Sequence, residues 1–249
     1  MQTQLRTLAT AVALTLSAAT AFAAPALLTV GSADFSSATS GLGWGNNAWA
    51  TAAASFQNGQ LLLSGTNENA ATRKLNNSIS SAVRVEFDLS FSGVLSSNDF
   101  AALWFGNSNG PNIGLKANCG GNCSNDLFVR GSGSAGSFAN NFDISNNTVY
   151  HLMGLLEKTG KSANYDSFKL WVNPSETERV QLTGADTFSN LTSNLSSFDK
   201  IGFRTANLTG NDRVSIDNLN ISVVPEPASL ALTGLGLALL AFTKRRRVG

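Results

Sequence analysis

The sequence predicts an all-β chain, an antiparallel sandwich of two sheets, and three observations carry that expectation. Residues 83–92 alternate strictly: Val83, Val85, Phe87, Leu89 and Phe91 are apolar, while Arg84, Glu86, Asp88 and Ser90 are polar. Successive side chains of a strand point to opposite faces, so this pattern makes one dry face and one wet face, whereas a helix would scatter both sets around its circumference. Roughly ten short apolar runs are separated by loops rich in Gly and Asn, with no convincing amphipathic helix among them. The composition favours Gly, Ser, Asn, Thr and Ala over the Lys and Glu that suit exposed helical surface. No repeat of fixed period is visible, which speaks against a propeller or a solenoid.

In chain order, residues 27–30 form a short opening strand, followed by a Gly/Ser/Asn-rich reach that holds Trp44 and Trp49. Asn58-Gly59, a dipeptide suited to a tight turn, leads into a strand over 60–64. After the alternating strand, residues 100–106 are continuously apolar and read as a strand buried on both faces. Residues 113–116 and 127–130 flank a cysteine loop, and 131–139 is a Gly/Ser loop. Residues 149–158 and 168–173 form a hairpin around the polar stretch 159–166, ended by Pro174. Strands over 201–205 and 214–223 close the domain. In the last of these the apolar parity changes, from Val214 and Ile216 to Leu219, Ile221 and Val223, so a β-bulge is expected at Asp217-Asn218.

The two ends read as addresses. Arg6 precedes a run of small and apolar residues that closes on Ala21-Phe22-Ala23, the pattern of a signal peptide cut by signal peptidase after Ala23. At the other end, Pro225, Glu226 and Pro227 break regular structure, residues 228–243 carry no charge, and Lys244, Arg245, Arg246 and Arg247 follow in a row. At about 1.5 Å per helical residue the uncharged stretch spans roughly 24 Å, a little short of a hydrocarbon core of about 30 Å. The expectation is a thin transmembrane helix whose basic flank stays on the cytoplasmic side.

This tripartite end resembles the PEP-CTERM sorting signal of exported bacterial proteins. The resemblance implies an exosortase that cuts near Pro225-Glu226-Pro227, a transient stay in the inner membrane, and delivery to the cell surface or the extracellular matrix. It also implies an association with exopolysaccharide and biofilm. The division is therefore a signal peptide over 1–23, a sandwich ectodomain over 24–223, long enough for one core and short for two domains, and a sorting signal over 224–249. The whole chain is formally +1, but its basic excess lies in Arg6 and the Lys244–Arg247 cluster. The ectodomain is slightly acidic, which gives no support to nucleic-acid binding.

Two further stretches resemble the concanavalin-like or laminin-G-like jelly rolls. One is Tyr150-His151-Leu152 with Phe168 through Trp171 and Asn173-Pro174; the other is Ile201-Gly202-Phe203-Arg204 followed by Ile216-Asp217-Asn218-Leu219. They support a jelly-roll-like sandwich and carry no ligand site with them.

Cys119 and Cys123, the two cysteines of the chain, are expected to form a disulfide in an exported protein, with Gly120 and Gly121 letting the backbone curl between them. A metal centre there lacks ligands, since the chain has one His. Glu86 and Asp88 share one face of a strand, yet glycoside hydrolysis needs an acid and a second carboxylate about 5 to 10 Å apart, and the next position on that face is Ser90. A solvated outer face accounts for the pair. His151 has no Ser or Cys nucleophile motif beside it and reads as packing or surface. No catalytic residue and no cofactor is assigned. Asp99 and Asp217 offer oxygen ligands of the kind Ca²⁺ takes, without the spacing of a calcium loop. Trp104 and Trp171 lie in apolar strands and read as core, whereas Trp44 and Trp49 sit in polar sequence and are candidates for stacking on a sugar. The function expected first is structural or adhesive, within exopolysaccharide. A carbohydrate-binding module is the alternative, and a glycoside hydrolase a more distant one.

Overall fold

The alternating runs are realised as two antiparallel sheets packed face to face. The computed structural model describes residues 27–117, 124–132, 136–160 and 162–225. In chain order the elements are β1 (Leu28–Ala33), β2 (Ala50–Thr51), β3 (Ala54–Gln57), β4 (Gln60–Leu63), β5 (Gly65–Ile79), β6 (Val83–Ser92), β7 (Phe100–Phe105), β8 (Asn112–Lys116), β9 (Leu127–Arg130), β10 (Ser137–Phe138), β11 (Val149–Glu157), β12 (Ser167–Val172), α1 (Glu176–Gln181), β13 (Thr187–Ser189), β14 (Phe198–Leu208) and β15 (Arg213–Val223). One sheet has eight strands, in the order β13-β12-β11-β6-β15-β4-β3, with β1 also on β15; the other has seven, in the order β10-β9-β8-β7-β14-β5-β2.

The dry face of β6 behaves as its alternation requires: Val83, Val85, Phe87, Leu89 and Phe91 are all 2% exposed or less. They meet the inner faces of β7, β8 and β14 in one continuous core, in which Phe105 stacks edge-on against Phe168 and Phe198 at 5.8 and 5.2 Å between ring centres. Each such side chain withdrawn from water contributes roughly 1.5 to 3 kcal/mol. The strand β7 is buried at every position, as its continuous apolar run implies. Asn58 and Gly59 both take positive φ, 53° and 77°, in the hairpin from β3 to β4.

The bulge falls where the parity of β15 changes. Its register against β6 shifts between Asp217 and Asn220, and Asn218 takes a φ of 51°. The bulge also divides the other edge of β15, which pairs with β4 through residues 214–216 and with β1 through residues 219–223. One long strand thereby holds three neighbours.

Beyond the short β2 and β3, and β10 within the stretch read as a Gly/Ser loop, three elements depart from the sequence reading. The longest strand, β5, buries Ala70, Ala71, Arg73, Leu75 and Ile79 amid Asn and Thr. A short helix, α1, follows Pro174, capped by Ser175 and Glu178 in a reciprocal capping box. The third is β13, an edge strand on β12. The α1 segment lies over the outer face of the eight-stranded sheet. There Trp171 joins Met153 and Leu155 in a second small core with Leu182, Ala185 and Val224, and donates its indole N–H to the Thr183 carbonyl at 2.7 Å. Trp171 and Trp104 are buried as expected, yet both lie outside the core between the sheets.

The reading of Trp44 and Trp49 as exposed plates is corrected: they are 1% and 4% exposed. The loop over residues 34–49 folds back on the sandwich because Arg73 draws it in. The guanidinium donates to the carbonyls of Asn47, Ser40 and Thr39 at 2.9, 2.6 and 3.0 Å and lies over both indoles. Burial brings the Arg73 pKa down to about 10, which leaves it charged at neutral pH. Cys119 and Cys123, the signal peptide over 1–23, Glu226, Pro227, the apolar stretch 228–243 and Lys244, Arg245, Arg246 and Arg247 lie outside the described residues. Among the described residues no helix is long and apolar enough to cross a membrane.

Candidate functional site: a cationic groove on the seven-stranded sheet

The outer face of the seven-stranded sheet is set by register. Residues on adjacent antiparallel strands that pair directly share a face, so three rows can be followed across it. Lys116, Phe100 and Ala206 form the first, Phe138, Phe128, Gly114, Ala102 and Arg204 the second, and Arg130, Asn112, Trp104 and Gly202 the third. Each row takes one residue from each of several strands that are distant in sequence.

A groove of about 210 Å³ opens on this face, lined by Asn98, Phe100, Lys116, Arg130, Arg204, Ala206 and Asn207. Three of these seven are cations and none is an acid. Arg130 and Arg204 lie over the Phe100 ring, 5.5 and 5.6 Å from its centre, and Arg130 also reaches the Phe128 ring at 6.0 Å. Arg204 pairs with Glu68 at 2.7 Å. Arg130 has no ion pair among the described residues; burial and the neighbouring Arg204 charge lower its pKa, partly offset by Glu68. Asn98 and Asn207 close one end, with the Asn207 amide donating to the Asn98 carbonyl at 2.9 Å. Beyond the other end of the strands a polar cleft of about 410 Å³ is lined by Asn107, Asn109, Gly131, Ser132, Ser193 and Asn194, with Gly110 and Leu195. Arg130 lines the groove and Gly131, the next residue, lines the cleft.

The polar atoms of this face are unusually short of partners. Arg130 Nε, Asn112 Oδ1, Trp104 Nε1 and Arg204 Nε are buried without a hydrogen bond, four of the seven such side-chain atoms among the described residues. The first three are consecutive members of a single row. Buried polar atoms are normally satisfied, so this concentration sets the face apart from the rest of the described domain.

The acids first considered for chemistry lie on the opposite sheet. Glu86 is 8% exposed and pairs with Arg84 and, at 3.0 Å, with Arg179 of α1; this corrects the solvated face expected there, because α1 covers it. Asp88 takes His151 Nδ1 at 2.7 Å and the Asn218 amide at 2.8 Å. Asp99 is fully buried and accepts from the Ser96 N–H and hydroxyl, whereas Asp217 caps the Asn218 N–H at 2.7 Å. Among the described residues no three His, Cys, Asp or Glu side chains come together as a metal site. The groove residues went unnoticed in sequence, although one signal was present. Lys116, Arg130 and Arg204 each stand alone at the outward parity of an apolar strand in a domain sparing with cations.

The end of β15 bears on how the chain is sorted. Val223 pairs with Val83, the Val224 N–H donates to the Ala82 carbonyl at 2.9 Å, and Pro225 is exposed directly afterwards. Residues 223–247 match the PEP-CTERM protein-sorting motif. The chain carries a PEP-CTERM sorting signal. That signal marks an exported protein handled by exosortase, and here it starts on the last residue of a core strand.

No curated protein is similar to this chain in sequence. Solved structures are similar to it in fold. An alginate lyase solved with an alginate trisaccharide superposes at a TM-score of 0.53 with 12% identity, over 82% of this chain and 100% of the lyase. The receptor-binding domain of botulinum neurotoxin type G gives 0.52 with 12% identity, over 81% of this chain and 49% of that one. A GH43 protein of Bacillus licheniformis gives 0.50 with 11% identity, over 77% of this chain and 39% of that one. These likenesses show the fold, a two-sheet β-sandwich in agreement with the jelly-roll expectation, and nothing finer.

Proposed function

We propose that this PEP-CTERM protein is an exported component of the extracellular matrix that binds polysaccharide in the groove of its seven-stranded sheet and holds it without cleaving it. The observation that carries the reading is the open groove itself, in which the Phe100 ring is flanked by the cations Lys116, Arg130 and Arg204 and by the amides Asn98 and Asn207. Sugar hydroxyls both donate and accept, and can therefore pair with the amides and the cations that line it. An alginate lyase of similar fold is known in complex with an alginate trisaccharide, which fits a sandwich face used for glycans. Cleavage by paired carboxylates has no support in the groove, whose lining residues include no acid. An adhesive role in exopolysaccharide follows from a binding face on a sorted, exported domain.

Exosortase would separate this domain from its membrane anchor near Pro225, Glu226 and Pro227. An epitope appended after Gly249 tests that step: tag and domain part only in cells that possess exosortase, and a full-length tagged chain confined to their membranes would refute it. Affinity electrophoresis of the full-length chain in gels cast with single polysaccharides tests the binding face. Retarded migration with at least one polymer, lost on Ala206→Trp, which fills the groove, is expected; equal retardation of wild type and variant would move the site elsewhere.

A further inference from the structure

The charge of the groove goes further than the polysaccharide reading, on which the following rests. We infer that the ligand is an anionic polysaccharide, whose carboxylate or sulfate groups dock between the guanidinium groups of Arg130 and Arg204, with Lys116 as the third cation along the groove.

Three observations carry this. The described domain is slightly acidic, yet Lys116, Arg130 and Arg204 line one small groove with no acid among the lining residues. Chance distribution on an acidic surface would surround a cation with carboxylates, as it does at Lys74 with Asp199 and at Lys169 with Glu157. The second observation is that Arg130 and Arg204 share one ring, Phe100, and face a single carboxylate, Glu68, on Arg204. Covering Phe100 accounts for one guanidinium plane; a second at the same ring adds like-charge repulsion that a bound anion removes. Third, Arg130 lines the open groove with no ion pair among the described residues. The planar guanidinium fork of two terminal nitrogens fits the two oxygens of a carboxylate or two of a sulfate, a match that a neutral sugar hydroxyl lacks. Phe100 and Ala206 give the groove an apolar floor on which the body of a sugar ring can rest.

The test uses the full-length chain in detergent and four polymers: polygalacturonate, the same polymer with its carboxyls reduced to alcohols, dextran sulfate, and dextran. Binding is read as a dissociation constant at low and at physiological salt. The inference expects polygalacturonate or dextran sulfate to bind about tenfold or more tightly than its uncharged counterpart, with the advantage shrinking as salt screens it. Which anionic polymer is preferred separates a uronate from a sulfated ligand. Arg130→Gln should lose most of the advantage and Arg130→Lys part of it, since Lys keeps the charge without the fork. Equal affinity for charged and uncharged members of both pairs would overturn the inference and leave the polysaccharide reading standing. Binding to none of the four, with uncharged matrix polysaccharides also unbound, would overturn both. The comparison of polymers on wild-type protein decides the matter even where a variant fails to fold.

Discussion

The guanidinium of Arg73 lies 4.7 Å from the centre of the Trp44 ring, beneath a loop that its three hydrogen bonds pin to the sandwich. A buried cation without a carboxylate is tolerated here because three carbonyl oxygens and two indole faces take the place of water. Arg73→Met keeps the length of the stem and leaves the carbonyls of Thr39, Ser40 and Asn47 without their donor. The expected loss is about 2 to 4 kcal/mol, the scale of breaking a buried charge-assisted network. Urea denaturation followed by tryptophan emission measures it. Proteolysis within residues 34–49 should accelerate in parallel, and unchanged cutting there would show that the loop is held by something other than Arg73.

Gly202 lies directly under the indole of Trp104. A Cβ at this position would stand 2.4 Å from Trp104 Cζ2 and 2.7 Å from the Ala71 carbonyl oxygen. Gly202→Ala should therefore destabilise the domain by about 1 to 3 kcal/mol through overpacking, and displace a member of the third groove row. Trp104→Phe in the same chain removes the colliding edge. The double variant is expected to be more stable than the sum of the two single effects, because the two sites touch. Simple additivity in thermal melts would mean that the clash is relieved at Ala71 and not at Trp104.

What the sequence displayed and what it hid follow from how far apart the cooperating residues are. The strand β6 and the parity change in β15 were legible because strand alternation is local: one residue in two reports its face. The sorting signal was legible for the same reason, as Pro225, Glu226, Pro227 and the basic run occur in linear order. By contrast, β5 hides its buried set, since Ala70, Ala71 and Arg73 carry no apolar rhythm and are fixed by pairing with β14. Trp44 and Trp49 were misread because their immediate neighbours are polar, while the residue that buries them, Arg73, belongs to a later strand. The groove was least legible of all. Its lining comes from β7, β8, β9 and β14, and only register brings Lys116, Arg130 and Arg204 to one face. The helix α1 had a readable signal, Ser175 and Glu178 at capping-box spacing after Pro174, but it is too short to show a period and buries none of its residues.

Asp99 gives the domain a pH signature of known sign. Burial raises its pKa above the ordinary 3.8, the nearby Asp212 adds to the effect, and the hydrogen bonds from Ser96 oppose it. A carboxyl whose folded value is raised binds more protons in the folded state than in the unfolded one, so stability falls as pH rises through the folded value. Its contribution is fully present below 3.8 and is lost above the raised value. Asp99→Asn keeps an acceptor for Ser96 and cannot titrate. The stability of wild type relative to this variant should therefore grow as the pH drops from 7 through 5 to 3, read by denaturation at each pH. A relative stability that declines along that series would show that the Ser96 hydrogen bonds, which favour the charged form, outweigh burial.

The junction between β15 and the sorting signal leads to the last prediction. Val223 is held on both sides, by Val83 of β6 and Leu28 of β1, and the Val224 N–H is bonded to the Ala82 carbonyl. Val224 also packs with Met153, Leu155 and Trp171 on the outer face of the eight-stranded sheet. Pro225 is exposed and lies directly after these contacts, so a protease that grips an extended substrate has almost no slack on the domain side of the tripeptide. Processing by exosortase near Pro225-Glu226-Pro227 must then either read the tripeptide alone or draw Val224 and Val223 off their strand, a step that costs their hydrogen bonds and their packing. A flexible spacer of about six Gly and Ser residues between Val224 and Pro225 adds roughly 13 Å of reach at about 5 to 6 Å times the square root of its length. If strand peeling limits the reaction, pulse-chase labelling in exosortase-bearing cells should show the spacer variant released faster than wild type. Val224→Asp should also speed release, by loosening the contact with Trp171 while the tripeptide and residues 228–247 stay unchanged. An unaltered rate in both variants would mean that exosortase engages nothing before Pro225, and that the close seat of the domain serves only to hold it near the membrane until release.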